Sequence, residues 1–129
     1  MVQSGEFLRK LGRYEEAFAS YDAALKIKPE LHEAWNNRGN SLRKLGRYEE
    51  AFASYDAALK IKPEYHEAWY NKACAYALQG NAELALENLQ RAIQLNPEKY
   101  CKMAKGDRDF DAICEDERFQ QLCSQTSSN

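Results

Sequence analysis

Three groups of residues in this chain have the types and spacing that chemistry uses. Asp107, Asp109 and Asp111 alternate as the ligands opening an EF-hand calcium loop do. The loop then fails, because Ala112 stands where the sharp turn needs glycine and Arg118 where a bidentate glutamate closes the site. Aspartates placed this way cap a short helix instead. His32 and His66 stand 34 residues apart at equivalent positions near helix starts. Stacked helices place such points ~10 Å apart, too far for two imidazoles to share an ion, so both read as first-turn surface histidines. Cys74, Cys101, Cys114 and Cys123 contain no C-x-x-C pair and no histidine at a zinc spacing. They read as free thiols acting as small hydrophobes, in keeping with a reducing compartment. No serine, cysteine or lysine has a base beside it, and no glycine-rich phosphate loop is present. The expectation is a protein that is not an enzyme and carries no metal and no cofactor.

What must position these residues is a repeat. Leu42 to Trp69 duplicates Leu8 to Trp35 at an offset of 34 residues, with 27 of 28 positions identical and Leu31 against Tyr65 the one difference. A fixed period of that length marks a stacked array. In the unit beginning at Trp35, Trp35, Leu42 and Leu45 share a helical face with Gly39. Gly46 ends that helix, since glycine most easily takes a left-handed closing conformation. Tyr48, Ala51, Phe52, Tyr55, Ala58 and Leu59 then form one stripe of a second helix of about fourteen residues, and Pro63 closes it. Gly39, Ala51 and Ala58 are small because two helices joined by a short turn must approach to ~8–10 Å. A diverged third unit keeps the register, with Trp69, Ala73 and Tyr76 on its first helix, Gly80 at the turn, and Ala85, Leu89, Ala92, Ile93 and Pro97 after it.

This pattern resembles the tetratricopeptide repeat (TPR), W-x2-L-G-x2-Y, then A-x3-F, then P. It reads Trp35-x2-Arg38-Gly39-x2-Leu42, Ala51-x3-Tyr55, Pro63, and again Trp69-x2-Lys72-Ala73-x2-Tyr76, Ala85-x3-Leu89, Pro97. The departure is a basic residue, Arg38 or Lys72, where the family has leucine; its stem is expected to pack while its charge reaches water. The resemblance implies an all-α fold, a right-handed α-solenoid of helix-turn-helix repeats. Three repeats are expected over 1–97, a partial first over 1–30, a second over 31–64 and a third over 65–97.

Before Leu8 the repeat breaks down: only Gly5 keeps its counterpart, Gly39, so the chain is read as beginning partway into a first helix, as a piece of a longer array would. After Pro97 the period stops. A last helix from Glu98 to about Lys105, a turn at Gly106-Asp107 and two short helices carrying Phe110, Ile113, Phe119 and Leu122 make a cap over 98–123, similar to endings common on bacterial TPR proteins. Residues 124–129 are expected to be a disordered tail.

The resemblance also implies a function, a protein-binding scaffold that holds a peptide segment of a partner along a concave face lined by the first helices. Family groove positions fall on Glu33, Asn36, Asn37, Asn40, Arg43 and Lys44, then on Glu67, Tyr70, Asn71, Cys74, Ala77 and Leu78, with Val2, Gln3, Glu6, Arg9 and Lys10 in the first unit. The peptide-binding set taken from these is Asn36, Asn37, Asn40, Arg43, Lys44, Tyr70, Asn71 and Cys74. Asparagine both donates to and accepts from a peptide main chain, which suits an extended ligand. The family's clamp for a terminal carboxylate is not reproduced, because Val2, Glu6, Glu67 and Asn71 replace most of its residues. The alternative is a structural or self-assembling segment of a longer array, homo-oligomeric through an uncapped amino-terminal face. Eighteen Lys and Arg against 20 Asp and Glu give a net charge of −2, which disfavours nucleic acid and anionic membranes. No apolar run of membrane-spanning length and no secretory leader is visible, so a soluble cytoplasmic protein is expected.

Overall fold

The computed structural model describes residues 2–127, with side chains over 10–124. Its elements are α1 (Val2–Ile27), α2 (His32–Lys44), α3 (Tyr48–Ile61), α4 (His66–Leu78), α5 (Ala82–Leu95), α6 (Pro97–Gly106), a 3-10 turn (Arg108–Phe110) and α7 (Glu117–Ser127). The fold is all-α and of the helical-repeat class, with no strand among the described residues. Two compact units divide the chain, Met1–Pro63 and Glu64–Asn129.

In the first unit α2 and α3 form the hairpin that the spacing predicts. Gly46 has φ +77, Arg47 N–H donates to the Leu42 carbonyl at 2.8 Å and Gly46 N–H to the Arg43 carbonyl at 3.0 Å, a Schellman ending that satisfies two orphan carbonyls. The close approach requires Gly39: a Cβ there would lie 2.6 Å from the Tyr55 ring. Tyr55 is fully buried against it and its hydroxyl donates to Asn40 Oδ1 at 2.7 Å.

The copy at residues 8–27 behaves differently. Residues 1–30, read as a partial first repeat, contain one unbroken helix, α1, running straight through Gly12 at the position of Gly46. The two copies differ in what precedes them. Copy two is preceded by Trp35 to Ser41, which supply a face for α3, whereas copy one is preceded by Met1 to Phe7. Phe7 stands in the sequence where copy two has Ser41, and from Leu11 onward Leu11, Tyr14, Phe18, Tyr21 and Leu25 recur at alternating spacings of three and four, a stripe that a continuous helix presents on one face. The α2 helix packs on this second half of α1, where Arg38 meets Phe18 and Asp22.

The second unit repeats the hairpin. Gly80 has φ +83, and Asn81 N–H donates to the Tyr76 carbonyl at 2.9 Å. Asn81 caps α5 by accepting from Leu84 N–H at 3.2 Å. Ala73 and Leu89, both buried, take the places of Gly39 and Tyr55, a larger residue on one helix matched by a smaller one on the other. Asn96 caps α6, with Pro97 at its first turn. The core gathers Tyr70, Cys74, Leu86, Ile93, Tyr100, Phe110 and Ile113, with Phe119 and Leu122 of α7 partly buried against it. Residues 124–127, expected to be disordered, continue α7; residues 128–129 lie outside the described residues.

Candidate functional site

The face of α2 presents its polar residues in two ways. Asn37 and Lys44 are exposed. Asn36 is 2 % exposed, Asn40 is half-buried and accepts the Tyr55 hydroxyl, and Arg43 is half-buried. Asn36 and Asn40 therefore belong partly to the packing, and the accessible part of this set is Asn37 and Lys44 with the half-open Arg43. Of the first-unit positions, Lys10 is exposed, and the side chains of Val2, Gln3, Glu6 and Arg9 lie outside the described residues.

Arg38 corrects the expectation that its charge reaches water. Its side chain is 17 % exposed; Nε donates to Asp22 Oδ1 at 2.8 Å and the guanidinium also donates to Ser54 Oγ, itself fully buried. The same guanidinium lies over the rings of Phe18 and Trp35, 4.8 and 5.6 Å from their centroids. Arginine replaces leucine because three helices surround it with an acid, a hydroxyl and two π faces, the planar partners a guanidinium satisfies. Lys72 is half-buried, with its ammonium 5.8 Å from the centre of the Trp69 ring.

On α4 the chain's own carboxy-terminal segment covers much of the predicted surface. Tyr70 is 3 % and Cys74 1 % exposed, so neither stands open to a ligand. Tyr70 donates its hydroxyl to Asp107 Oδ2 at 2.7 Å, stacks on Tyr100 with ring centroids 4.9 Å apart, and meets Phe110 edge-on at 5.6 Å. The Cys74 thiol points to the same carboxylate oxygen at 3.8 Å, while Asp107 Oδ1 accepts Asp109 N–H at 3.0 Å and caps the 3-10 turn. Burial raises the Tyr70 hydroxyl well above its ordinary pKa, and the hydrogen bond to Asp107 adds to this. The phenol stays neutral and donating. Donor atoms of Cys74, Asp107 and Asp109 lie within 4.8 Å of one another, but both Asp107 oxygens are engaged in these contacts; Asp111 stands outside the group.

Asn71 remains half-open beside a cavity of about 200 Å3 lined by Glu67, Tyr70, Lys99, Tyr100 and Met103. Lys99 Nζ lies 3.9 Å from Glu67 Oε1 at its mouth, and Met103 is exposed. His66 departs from a plain surface histidine, since its Nδ1 sits 2.5 Å from the Tyr100 hydroxyl with the rings edge to face. Lys99, Tyr100, Met103, Asp107 and Phe110 were not among the predicted site residues. One signal for Tyr100 was available: it falls 34 residues after His66, so the period places α6 against α4 even after the motif has faded.

Comparison with known proteins agrees with the helices. A family model described as TPR repeat matches residues 5–42 and 39–80, and one described as tetratricopeptide repeat matches residues 66–99. Among solved structures, the first TPR of Spaghetti (RPAP3) bound to HSP90 peptide SRMEEVD is similar with a TM-score of 0.66 and 20% identity, covering 98% of this chain and 90% of that one. A MamA RS-1 ArsTM double mutant is similar with a TM-score of 0.62 and 26% identity, covering 95% and 72%. No curated protein matches.

Proposed function

The chain belongs to the tetratricopeptide repeat family, a family of protein-interaction scaffolds, and from that premise we propose that it holds a peptide segment of a partner protein on the polar faces of its first helices. The observation that carries this reading is the accessibility of Asn37 on α2 and of Asn71 beside the α4 cavity, each with a carboxamide able to pair with a peptide main chain. A fold neighbour bound to HSP90 peptide SRMEEVD supports the choice of a peptide ligand. Lys44 and Arg43 would favour an acidic residue near Asn37, and Met103 an apolar one near Asn71. Tyr70 and Cys74 take no direct part in this version of the surface. They hold the segment that covers α4, and Asn36 and Asn40 support the helix that carries Asn37.

A pull-down from a peptide library tests the proposal. Asn37→Ala and Asn71→Ala should each reduce capture of the selected peptides about 5- to 30-fold, the loss of one or two hydrogen bonds. Equal capture by parent and both variants removes the proposal.

Self-association is a second reading with its own observation. Ala17, Tyr21 and Ala24 of α1 are half-buried, whereas the identical Ala51, Tyr55 and Ala58 are fully buried. That face would be covered by a helix of another copy, and sedimentation showing a single monomeric species at all concentrations would exclude it.

A further inference from the structure

Helices α6 and α7 pack together, and each brings one thiol to a shared cavity. Cys101 of α6 and Cys123 of α7 are near enough for the first thiol to act on the second. Both are half-buried and line a cavity of about 490 Å3 with Pro97, Lys105 and Gln120, which leaves them packed against the unit yet reachable by a small reagent. A disulfide demands that two sulfurs approach to ~2.05 Å with their Cβ atoms already near, and neighbouring thiols on two packed helices are placed for that approach. The remaining cysteines differ in exposure: Cys74 is buried, whereas Cys114 is exposed and lines a second cavity with Cys123. Cys74 is sealed beneath the segment over α4, and the Cys114 thiol turns back to the Asp111 carbonyl at 3.3 Å.

We infer that Cys101 and Cys123 form a thiol–disulfide exchange site that accepts a small-molecule disulfide and closes into an intrachain bond tying α7 to α6. The Cys101 thiolate attacks one sulfur of R–S–S–R, forming a mixed disulfide and expelling RS⁻. The Cys123 thiolate then attacks the Cys101 sulfur, forming the protein disulfide and expelling the second RS⁻. Two protein thiols lose two electrons and two protons, and the reagent gains them as two RSH. Cys101 opens the sequence because burial, with the Cys101 hydrogen bond adding to it, pushes the Cys123 thiol up to about 12. Cys123 acts second, when its target is already adjacent. The closed bond ties down α6, whose Tyr100 stacks on Tyr70, and so fixes the covering over α4.

The test uses the full chain, reduced, then incubated with oxidised glutathione and read by intact mass and peptide mapping after alkylation of the remaining thiols. Expected is the loss of two hydrogens, a single linked pair of peptides carrying Cys101 and Cys123, and a melting temperature raised on the order of 5 °C. Cys101→Ser and Cys123→Ser should each stop at a stable glutathione adduct or remain unmodified. A Cys74→Ser/Cys114→Ser double variant should keep both the link and the shift, which guards against misfolding of the single variants. Overturning results are a link through Cys114, glutathione adducts alone in the parent, no modification, or a linked form that melts with the reduced one. Peptide capture is not part of this readout, so its failure and that of the proposed binding function are separable.

Discussion

Residues 8–27 and 42–61 are the same twenty amino acids, yet the first set is part of one straight helix and the second is two helices folded about Gly46. Glycine and the helix stripes are present in both. The difference teaches that a turn sequence permits a hairpin and that a partner face selects it. Folding back at Gly46 buries Tyr55 completely against Gly39, and the gain of about 2–3 kcal/mol for a large side chain outweighs the hydrogen bonds a continuous helix would have kept. At Gly12 the helix continues, and Tyr21, the counterpart of Tyr55, stays half-buried.

The sharpest way to break this comparison is to exchange the context. Replacing residues 1–7 with the Trp35–Ser41 sequence should fold α1 back at Gly12. Spin labels near the two ends of α1, about 33 Å apart in the straight helix, should then approach to about 10 Å. An unchanged separation would mean that something other than the upstream face decides. Next in size, Tyr55→Ala should cost about 3–5 kcal/mol in denaturant unfolding, while Tyr21→Ala, at the identical but half-open position, should cost about 1 kcal/mol. Gly39→Ala should destabilise by about 1–3 kcal/mol because its Cβ would meet the Tyr55 ring. The smallest pair has opposite signs. Gly46→Ala forces a side chain into φ +77 and should cost about 1 kcal/mol, and Gly12→Ala, inside a helix with open space around it, should stabilise by somewhat less than that. Equal signs at the two glycines would contradict the straight helix directly.

The parts of the fold legible in the sequence were the ones that repeat. The 34-residue spacing located both hairpins, their glycine turns and the return of a first helix at α6, since periodic burial leaves periodic residues. Straight α1 was not legible, because the identical copy argued for a turn. Arg38 was misread for a related reason: its acid, hydroxyl and aromatic partners come from three helices and share no local pattern. Of the residues named for the candidate site, Asn37 and Lys44 are exposed and Asn71 is half-buried, as a sequence position on a polar helix face suggests. Tyr70 and Cys74 are covered by Asp107 and Phe110, and contacts spanning more than thirty residues to an aperiodic segment leave no trace in spacing.

The opposed sizes at Gly39 with Tyr55 and at Ala73 with Leu89 also limit how the units can be recombined. A shuffled chain joining α4 to α3 would set a methyl group against a tyrosine ring, and one joining α2 to α5 would leave a void beside leucine. Although the two hairpins share one period, each is keyed to its own mate. Shuffling of this array should therefore be better tolerated when cut between hairpins, near Pro63 or at Asn96 before α6, than within one.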